Sequence, residues 1–242
     1  MKRVAVVITL SLLAVVPVIA GEWAAKVTSI EGTGKVKRGE AGQPRPARPG
    51  MTLQKGDMIS SEEESLIEMV YKNGEIVRLG EMSSLIIEES TPQEVKSELV
   101  MGRVWVNMKK LTSGRRQFDM SSPTAVASIR GTVFDMKSAV DSSMDVSVYD
   151  GRVAVGPSKG LNKRLSGGKK EIAGEPQEVS GPEEVPPPFE VTLEQWKMIV
   201  AGQRISVRAD GKYATSEFDL QSDIDSFVQK NRFLDSQSGK KK

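Results

Sequence analysis

The sequence has no cysteine and no histidine among its 242 residues. Without cysteine there are no disulfides, thiolate nucleophiles, Cys-ligated clusters or lipid-modified cysteine. Without histidine there is no Ser-His-Asp triad, no imidazole acid–base chemistry and no His-ligated zinc or haem. Only carboxylate, Ser/Lys or Ser/Thr chemistry remains open to it. Aromatic residues are scarce at 5%, so a core must be built mainly from aliphatic side chains. An excess of either charge is also missing, with 34 basic residues against 32 acidic ones. That balance gives no reason to expect a nucleic-acid partner.

One hydrophobic run stands out. Met1, Lys2 and Arg3 precede an apolar stretch from Val4 to Val16, broken only by Thr9 and Ser11, and Val18-Ile19-Ala20 follows. A positive start, a short apolar segment and small residues before Gly21 form the pattern of a cleavable signal peptide over residues 1–20, cut after Ala20. The run is short for a bilayer span, which needs about 20 residues; an uncleaved anchor helix is the alternative. Cleavage removes Lys2 and Arg3 and takes the basic residues from 34 to 32, equal to the acidic ones. The expected location is the bacterial periplasm or another exported compartment. With no cysteine to acylate, the chain is not a lipoprotein, and its fold must be held by its core alone.

Residues 22–172 read as strands and turns. Met144, Val146 and Val148 alternate with polar residues, Asp150-Gly151 follows, and Arg152-Val153-Ala154-Val155 resumes the pattern. Asp-Gly between alternating runs predicts a two-residue hairpin with Val148 opposite Val153 and Val146 opposite Val155. Asn73-Gly74 predicts a second hairpin, with Tyr71 facing Ile76 and Val70 facing Val77, covered on both faces because both carry apolar residues. Gly-x-Val recurs at Gly34, Gly102, Gly131 and Gly151. The spacing is uneven, but it suggests similar turns stacked or wrapped around one core.

The tail changes character. Residues 173–190 form a Pro/Glu-rich linker, semi-rigid in its Pro186-Pro187-Pro188 run. Residues 191–236 are expected to form a small α-rich unit. Thr192-Leu-Glu-Gln195 is a capping box opening a helix with Leu193, Trp196, Ile199 and Val200 on one face. A short strand at 204–209 turns at Asp210-Gly211, and a second helix begins at Ser222. The unit is too small for a large core of its own, so it packs on the β domain or on a partner. Residues 237–242 are a basic disordered tail.

Several short motifs carry less than they spell. Gly156-Pro-Ser158-Lys-Gly160 matches G-x-S-x-G but has no histidine partner, and it reads as a loop. Ser166-Gly-Gly-Lys169 matches S-x-x-K, yet its Gly-Gly centre suits a mobile loop rather than a nucleophile. The acidic runs Glu62-Glu63-Glu64 and Glu88-Glu89 read as solvated turns or edge-strand guards rather than a cation site, and the same holds for Asp141, Asp145 and Asp150. No metal site and no small-molecule cofactor is expected. Trp23, Trp105 and Trp196 are read as core residues, with a glycan or peptide groove as the alternative.

Residues 26–156 carry an ordered series of short motifs. Val27 to Val36 opens it, and Leu53-Gln-Lys-Gly56-Asp57-Met58-Ile59-Ser60 and Leu99-Val-Met-Gly102-Arg-Val104 continue it. Ser122-Pro123-Thr124-Ala125 through Arg130-Gly131-Thr132-Val133-Phe134 is the most specific stretch, and Val146-x-Val148-x-x-Gly151-x-Val153 closes the series. Together these steps resemble the FecR-like periplasmic domain family, whose T-P-x-A-x-x-x-x-R-G-T-x-F signature the specific stretch follows with Ser122 in place of Thr. The resemblance implies a mainly β domain of stacked or wrapped short strands and hairpins, solenoid-like or sandwich-like. It singles out Pro123, Ala125, Arg130, Gly131, Thr132 and Phe134 as structural-signature or interaction residues. The family's founding members regulate a sigma factor from a cytoplasmic segment. Only three residues precede the apolar run here, so the periplasmic β domain is the part expected to carry over.

Arg130 follows the alternating Ala125, Ala127 and Ile129 and precedes a Gly-Thr turn. It reads as a partly buried arginine bracing two β segments through carbonyls and a carboxylate, with recognition of an anionic group as the alternative. The chain is therefore expected to be a non-enzymatic, exported interaction module for envelope assembly or signalling, acting on an envelope protein partner. The alternatives are a module binding cell-wall glycan or another polymer, and, last, a Ser/Lys or carboxylate hydrolase.

Overall fold

Burial alternates residue by residue along most strands, as in Ala125–Ile129 and Phe118–Ser121, so most strands have one dry face and one wet face. Two sheets packed face to face satisfy that pattern. The structure, a computed structural model, describes residues 23–91, 93–108, 117–167, 191–193 and 195–238. The expected signal peptide, the linker and the last four residues lie outside the described residues.

The strands in chain order are β1 (Ala25–Glu31), β2 (Gly34–Lys37), β3 (Arg45–Pro46), β4 (Thr52–Leu53), β5 (Met58–Ser61), β6 (Leu66–Tyr71), β7 (Ile76–Leu79), β8 (Ser84–Ser90), β9 (Glu94–Asn107), β10 (Gln117–Ser121), β11 (Ala125–Ile129), β12 (Val133–Ser138), β13 (Met144–Asp150), β14 (Arg152–Pro157), β15 (Val191–Thr192), β16 (Lys197–Val200), β17 (Gln203–Val207) and β18 (Lys212–Glu217). Two helices, α1 (Lys159–Gly167) and α2 (Ser226–Ser238), complete the chain. The first sheet runs β4-β1-β6-β7-β9-β12-β13-β17-β18-β15. The second runs β3-β2-β5-β8-β9-β10-β11-β14-β16, all antiparallel except β9–β10.

Strand β9 belongs to both sheets. Its first half pairs with β8 and β10, and its second half with β7 and β12. The bend between the halves falls at Gly102, whose φ is +94°. A Cβ there would lie 2.1 Å from Ser83 Oγ. Only glycine accepts both the left-handed backbone and that approach. Elsewhere the chain crosses between the sheets at short corners, and the recurrent Gly-x-Val pattern marks them. Gly34 opens β2 after β1, Gly131 separates β11 from β12, and Gly151 separates β13 from β14. Between the layers lies one continuous apolar cluster that includes Val27, Tyr71, Val106, Phe134 and Val148 from the first sheet and Ile59, Leu85, Phe118, Ala127 and Val155 from the second.

Two turn expectations need correction. Asp150-Gly151 does not make a hairpin: β13 pairs with β12 and β17, whereas β14 pairs with β11 and β16 in the other sheet. Val146, Val148, Val153 and Val155 still share one core, but they meet it from opposite layers. Alternation fixes which way side chains point, and a hairpin and a sheet-crossing corner satisfy it equally. The second hairpin forms with its register one residue away from the expected one. Val70 faces Ile76 and Met69 faces Val77. The Tyr71 N–H donates to the Glu75 carbonyl, leaving a three-residue loop closed by Gly74 at φ +93°. This register puts Ile67, Met69, Tyr71, Val77 and Leu79 together on the core side, and a one-residue slip would turn one strand inside out. The hairpin is covered on both faces as expected, with Arg78 on the outer side fully buried.

The C-terminal region also departs from expectation. No helix starts at Thr192; residues 197–200 are a strand, and β17 and β18 follow around the Asp210-Gly211 turn. Pairing with β14 offers this segment more than an isolated helix would gain from its capping box. The last helix begins at Ser226, four residues after the expected start, with Asp225 as its N-cap: Asp225 Oδ1 accepts from the Val228 N–H at 3.1 Å. Helix α1 stands where a loop is expected. Its N-cap is Ser158, so Gly156–Gly160 is a strand-to-helix turn after all. Among the described residues, no helix is long and apolar enough to cross a membrane.

Candidate functional site

The signature residues build the corner between β11 and β12. Ala125 and Phe134 are fully buried in the core. Ser122, in place of the family's threonine, organises the entry to β11: its Oγ accepts from the Thr124 and Ala125 N–H groups at 3.3 and 3.1 Å. The Pro123 carbonyl accepts from Ser158 Oγ at 2.7 Å, which fastens the start of α1. Ser158 is thereby buried with its hydroxyl donating to Pro123 and accepting from the Leu161 N–H.

Beyond the strand, Gly131 takes φ +63°, and Thr132 turns inward and is fully buried. Its Oγ1 donates to the Arg152 carbonyl at 2.8 Å and lies 3.3 Å from the Arg130 carbonyl, and its own carbonyl accepts from the Met108 N–H. Thr132 therefore ties the β11–β12 corner to the β13–β14 corner and to the end of β9. Arg130 does not do this. Its side chain is exposed and makes no hydrogen bond or ion pair among the described residues. The expected brace is there, but the threonine two residues later supplies it. The reason is parity: Ala125, Ala127 and Ile129 point inward, and Arg130, the first residue after the strand, continues the alternation outward.

On the outer face of the second sheet, Arg130 has company. Ile129 pairs with Val153 on the last rung of this ladder, and Arg130 follows the one as Arg152, itself exposed, precedes the other. Arg152 pairs in turn with Val200, and Ala154 with Met198. Met198 and Val200 of β16, and Trp196 just before it, are 59%, 45% and 55% exposed. The Trp196 ring lies over Gly156, where a Cβ would come within 2.5 Å of it. Of the three tryptophans, Trp105 alone is fully buried.

The outer face of the first sheet is different, because α2 and the β18–α2 connection lie on it. Trp105, Tyr149, Phe218 and Val228 form a second small cluster there. The other contacts are ionic. The buried Arg78 guanidinium meets Glu68 at 2.7 Å and Asp235 of α2 at 2.5 Å, and Trp105 Nε1 donates to Asp235 at 3.0 Å. Arg103 binds Asp135 with two nitrogens, reaches Asp225 at 2.6 Å and stacks on Phe227. Burial pushes the Asp135 carboxyl up, and the Arg103 guanidinium pulls against that shift. Burial works against Arg103 too, but Asp135 and Asp225 outweigh it and hold the guanidinium well above its ordinary value.

Beside α2 a polar cleft is lined by Asp135, Lys137, Asp145, Ser147, Arg204 and Ser206. Most of these groups are already bound to a protein neighbour: Asp135 to Arg103, Asp145 to Ser206, and Ser147 to Arg204. In the acidic runs, Glu62 pairs with Lys35 and Glu89 with Lys55. Among the described residues, no group of three or more acidic side chains is placed to hold a metal ion. The ionic platform under α2 was not legible in the sequence. Its one trace was the apolar content on both faces of the Asn73-Gly74 hairpin, which required a cover without naming it.

Residues 57–154 match the family model described as FecR protein. The match begins at Asp57 and includes the signature stretch; residues 26–56 of the sequence resemblance fall outside it. Two crystal structures of a candidate anti-sigma factor from Parabacteroides distasonis ATCC 8503 are similar to the chain, at 17% identity and a TM-score of 0.48. The alignment covers 68% of this chain and 61% of that one. No curated protein matches the chain.

Proposed function

Starting from a FecR-family domain over residues 57–154, we propose that the chain is an exported, non-enzymatic interaction module that serves signalling or assembly in a bacterial envelope. The domain match carries this reading. Two features support it. The signature residues other than Arg130 are spent on the fold, which leaves recognition to surfaces. The polar cleft, where chemistry would be sought first, has its acids and hydroxyls tied to neighbouring side chains. Export is supported by the Lys2-Arg3 start, the apolar run and Val18-x-Ala20. The family's founding members receive their signal through protein contact, and a protein partner is proposed here too.

Two measurements test the proposal. Envelope protein should give an N-terminus at Gly21 on Edman sequencing; a chain that begins at Met1 would favour the anchored alternative. A photo-cross-linking amino acid at Ser128, on the outer face of the second sheet, should yield an adduct with an envelope protein in the living cell. The same group at the exposed Lys26 of β1 is the control. Adducts with glycan alone would support the polymer-binding alternative, and absence of any protein adduct would contradict the proposal.

A further inference from the structure

We infer that the edge of β16 that pairs with no strand among the described residues, with Arg130 and Arg152 beside it, is a docking surface for an extended acidic peptide of a partner protein, which adds as a further strand. The inference rests on the proposed interaction role and specifies the partner's chemistry.

The edge is the first observation. Each sheet ends in two outermost strands. Three of those four are two residues long, and one of them, β3, contains Pro46. Short length and proline are the usual means of blunting an edge. Strand β16 spans Lys197–Val200 without proline and pairs on one side with β14. The Ala201 N–H donates to the Gly151 carbonyl, which fixes the phase of this ladder. The backbone groups of Met198 and Val200 then point to the open side. The Val200 N–H confirms that direction, because it donates to the Gln203 side-chain oxygen at 3.1 Å. A side-chain amide occupies the position that the carbonyl of an added strand would take.

The second observation is what stands beside that edge. Trp196, Met198 and Val200 are three of the seven large apolar side chains exposed among the described residues, two residues apart along β16 and the residue that precedes it. An incoming strand would cover them with alternate side chains, as strand addition requires.

The third observation sets the charge. Arg130 and Arg152 flank the last rung of the β11–β14 ladder, Ile129–Val153, and Thr132 Oγ1 contacts both of their carbonyls; neither side chain has an acidic partner among the described residues. Two neighbouring cations without acidic partners repel each other, and an anion placed between them removes that cost. Arg152 is one strand from β16, next to Val200. With strands about 4.8 Å apart, a Glu on an added strand at the Val200 end reaches the Arg152 guanidinium. The occupant is therefore an extended segment that is apolar along Trp196–Met198 and acidic at its end over Val200.

The test uses the full mature chain and a synthetic peptide of about ten residues, the usual upper length of a strand. The peptide alternates Thr and Val and ends in Glu-Glu. Calorimetry should show binding that weakens with salt. A matched peptide ending in Lys-Lys should bind at least about tenfold more weakly. Arg152→Gln should weaken the Glu-Glu peptide by about tenfold, Arg130→Gln by less, and Met198→Glu should abolish binding, each with an unchanged melting curve. Equal affinity for the two peptides, no binding of the acidic one, or self-association of the chain that Met198→Glu reverses would each overturn the inference. Those failures would leave the cross-linking result at Ser128 standing, so the broader reading fails separately.

Discussion

Arg130 and Thr132 are two residues apart in the same signature and have opposite roles. Thr132 is buried, and its hydroxyl joins two corners; Arg130 is exposed. Thr132→Val keeps the shape and leaves the Arg152 carbonyl without its donor. The expected loss is about 1–3 kcal/mol, the cost of an unsatisfied buried group, read as a lower denaturant midpoint. Arg130→Ala should move that midpoint by no more than about 0.5 kcal/mol, as for other surface changes. A Gly102→Ala change belongs to the same scale. It forces a Cβ into Ser83 at a backbone φ of +94°, and the strained conformation alone costs of order 1–3 kcal/mol. The chain should melt well below the parent. The sequence made the inward positions legible through alternation, and the same alternation already put Arg130 outside. It did not show that a hydroxyl would reach a carbonyl twenty residues away, since nothing local links Thr132 to Arg152.

At the scale of elements, α2 is held to the first sheet by charge as well as by the apolar contact of Val228. Removing one member of a buried pair costs about 3–5 kcal/mol when no other partner remains. Asp235→Ala leaves Arg78 with Glu68, so the expected loss lies at the lower end of that range. Trp105, which also loses its acceptor, should shift its emission to the red as water enters. Acid should act at the other end of the helix. Burial opposes ionisation of Asp225, but Arg103 and the Val228 N–H outweigh it and hold the carboxyl below its ordinary value of about 3.8. A carboxyl with a lowered folded value stabilises fully above its unfolded value and loses that contribution as pH falls through the folded one. Below about pH 4 the Trp105 signal should therefore change before the strand signal in circular dichroism does. Simultaneous loss of both would show that α2 has no separate docking step. The start of α2 was legible to within a few residues from its apolar spacing. The strand at 197–200 was not, because Leu193, Trp196, Ile199 and Val200 fit a helical face, and only the β14 edge makes the extended form preferable.

At the scale of the whole molecule, the described residues form one body of two sheets that share β9. The last strands are not an appendage: β16 extends the second sheet, and β17 and β18 extend the first. Ile199, Ile205 and Val207 belong to the same apolar cluster as Val27 and Phe118. The mainly β character and the wrapping around one core were legible from alternation, glycine corners and family signature together. The partition of strands between two sheets was not, because alternation reports the face of a strand and never its neighbours.

Native-state hydrogen exchange on residues 21–242 tests this account most directly. If the C-terminal strands complete the sandwich, the amides of Ile199 and Ile205 should exchange through the same global opening as those of Val146 and Val155, with the same dependence on denaturant. Exchange of Ile199 and Ile205 through a separate, lower-energy opening, while Val146 and Val155 stay protected, would contradict it.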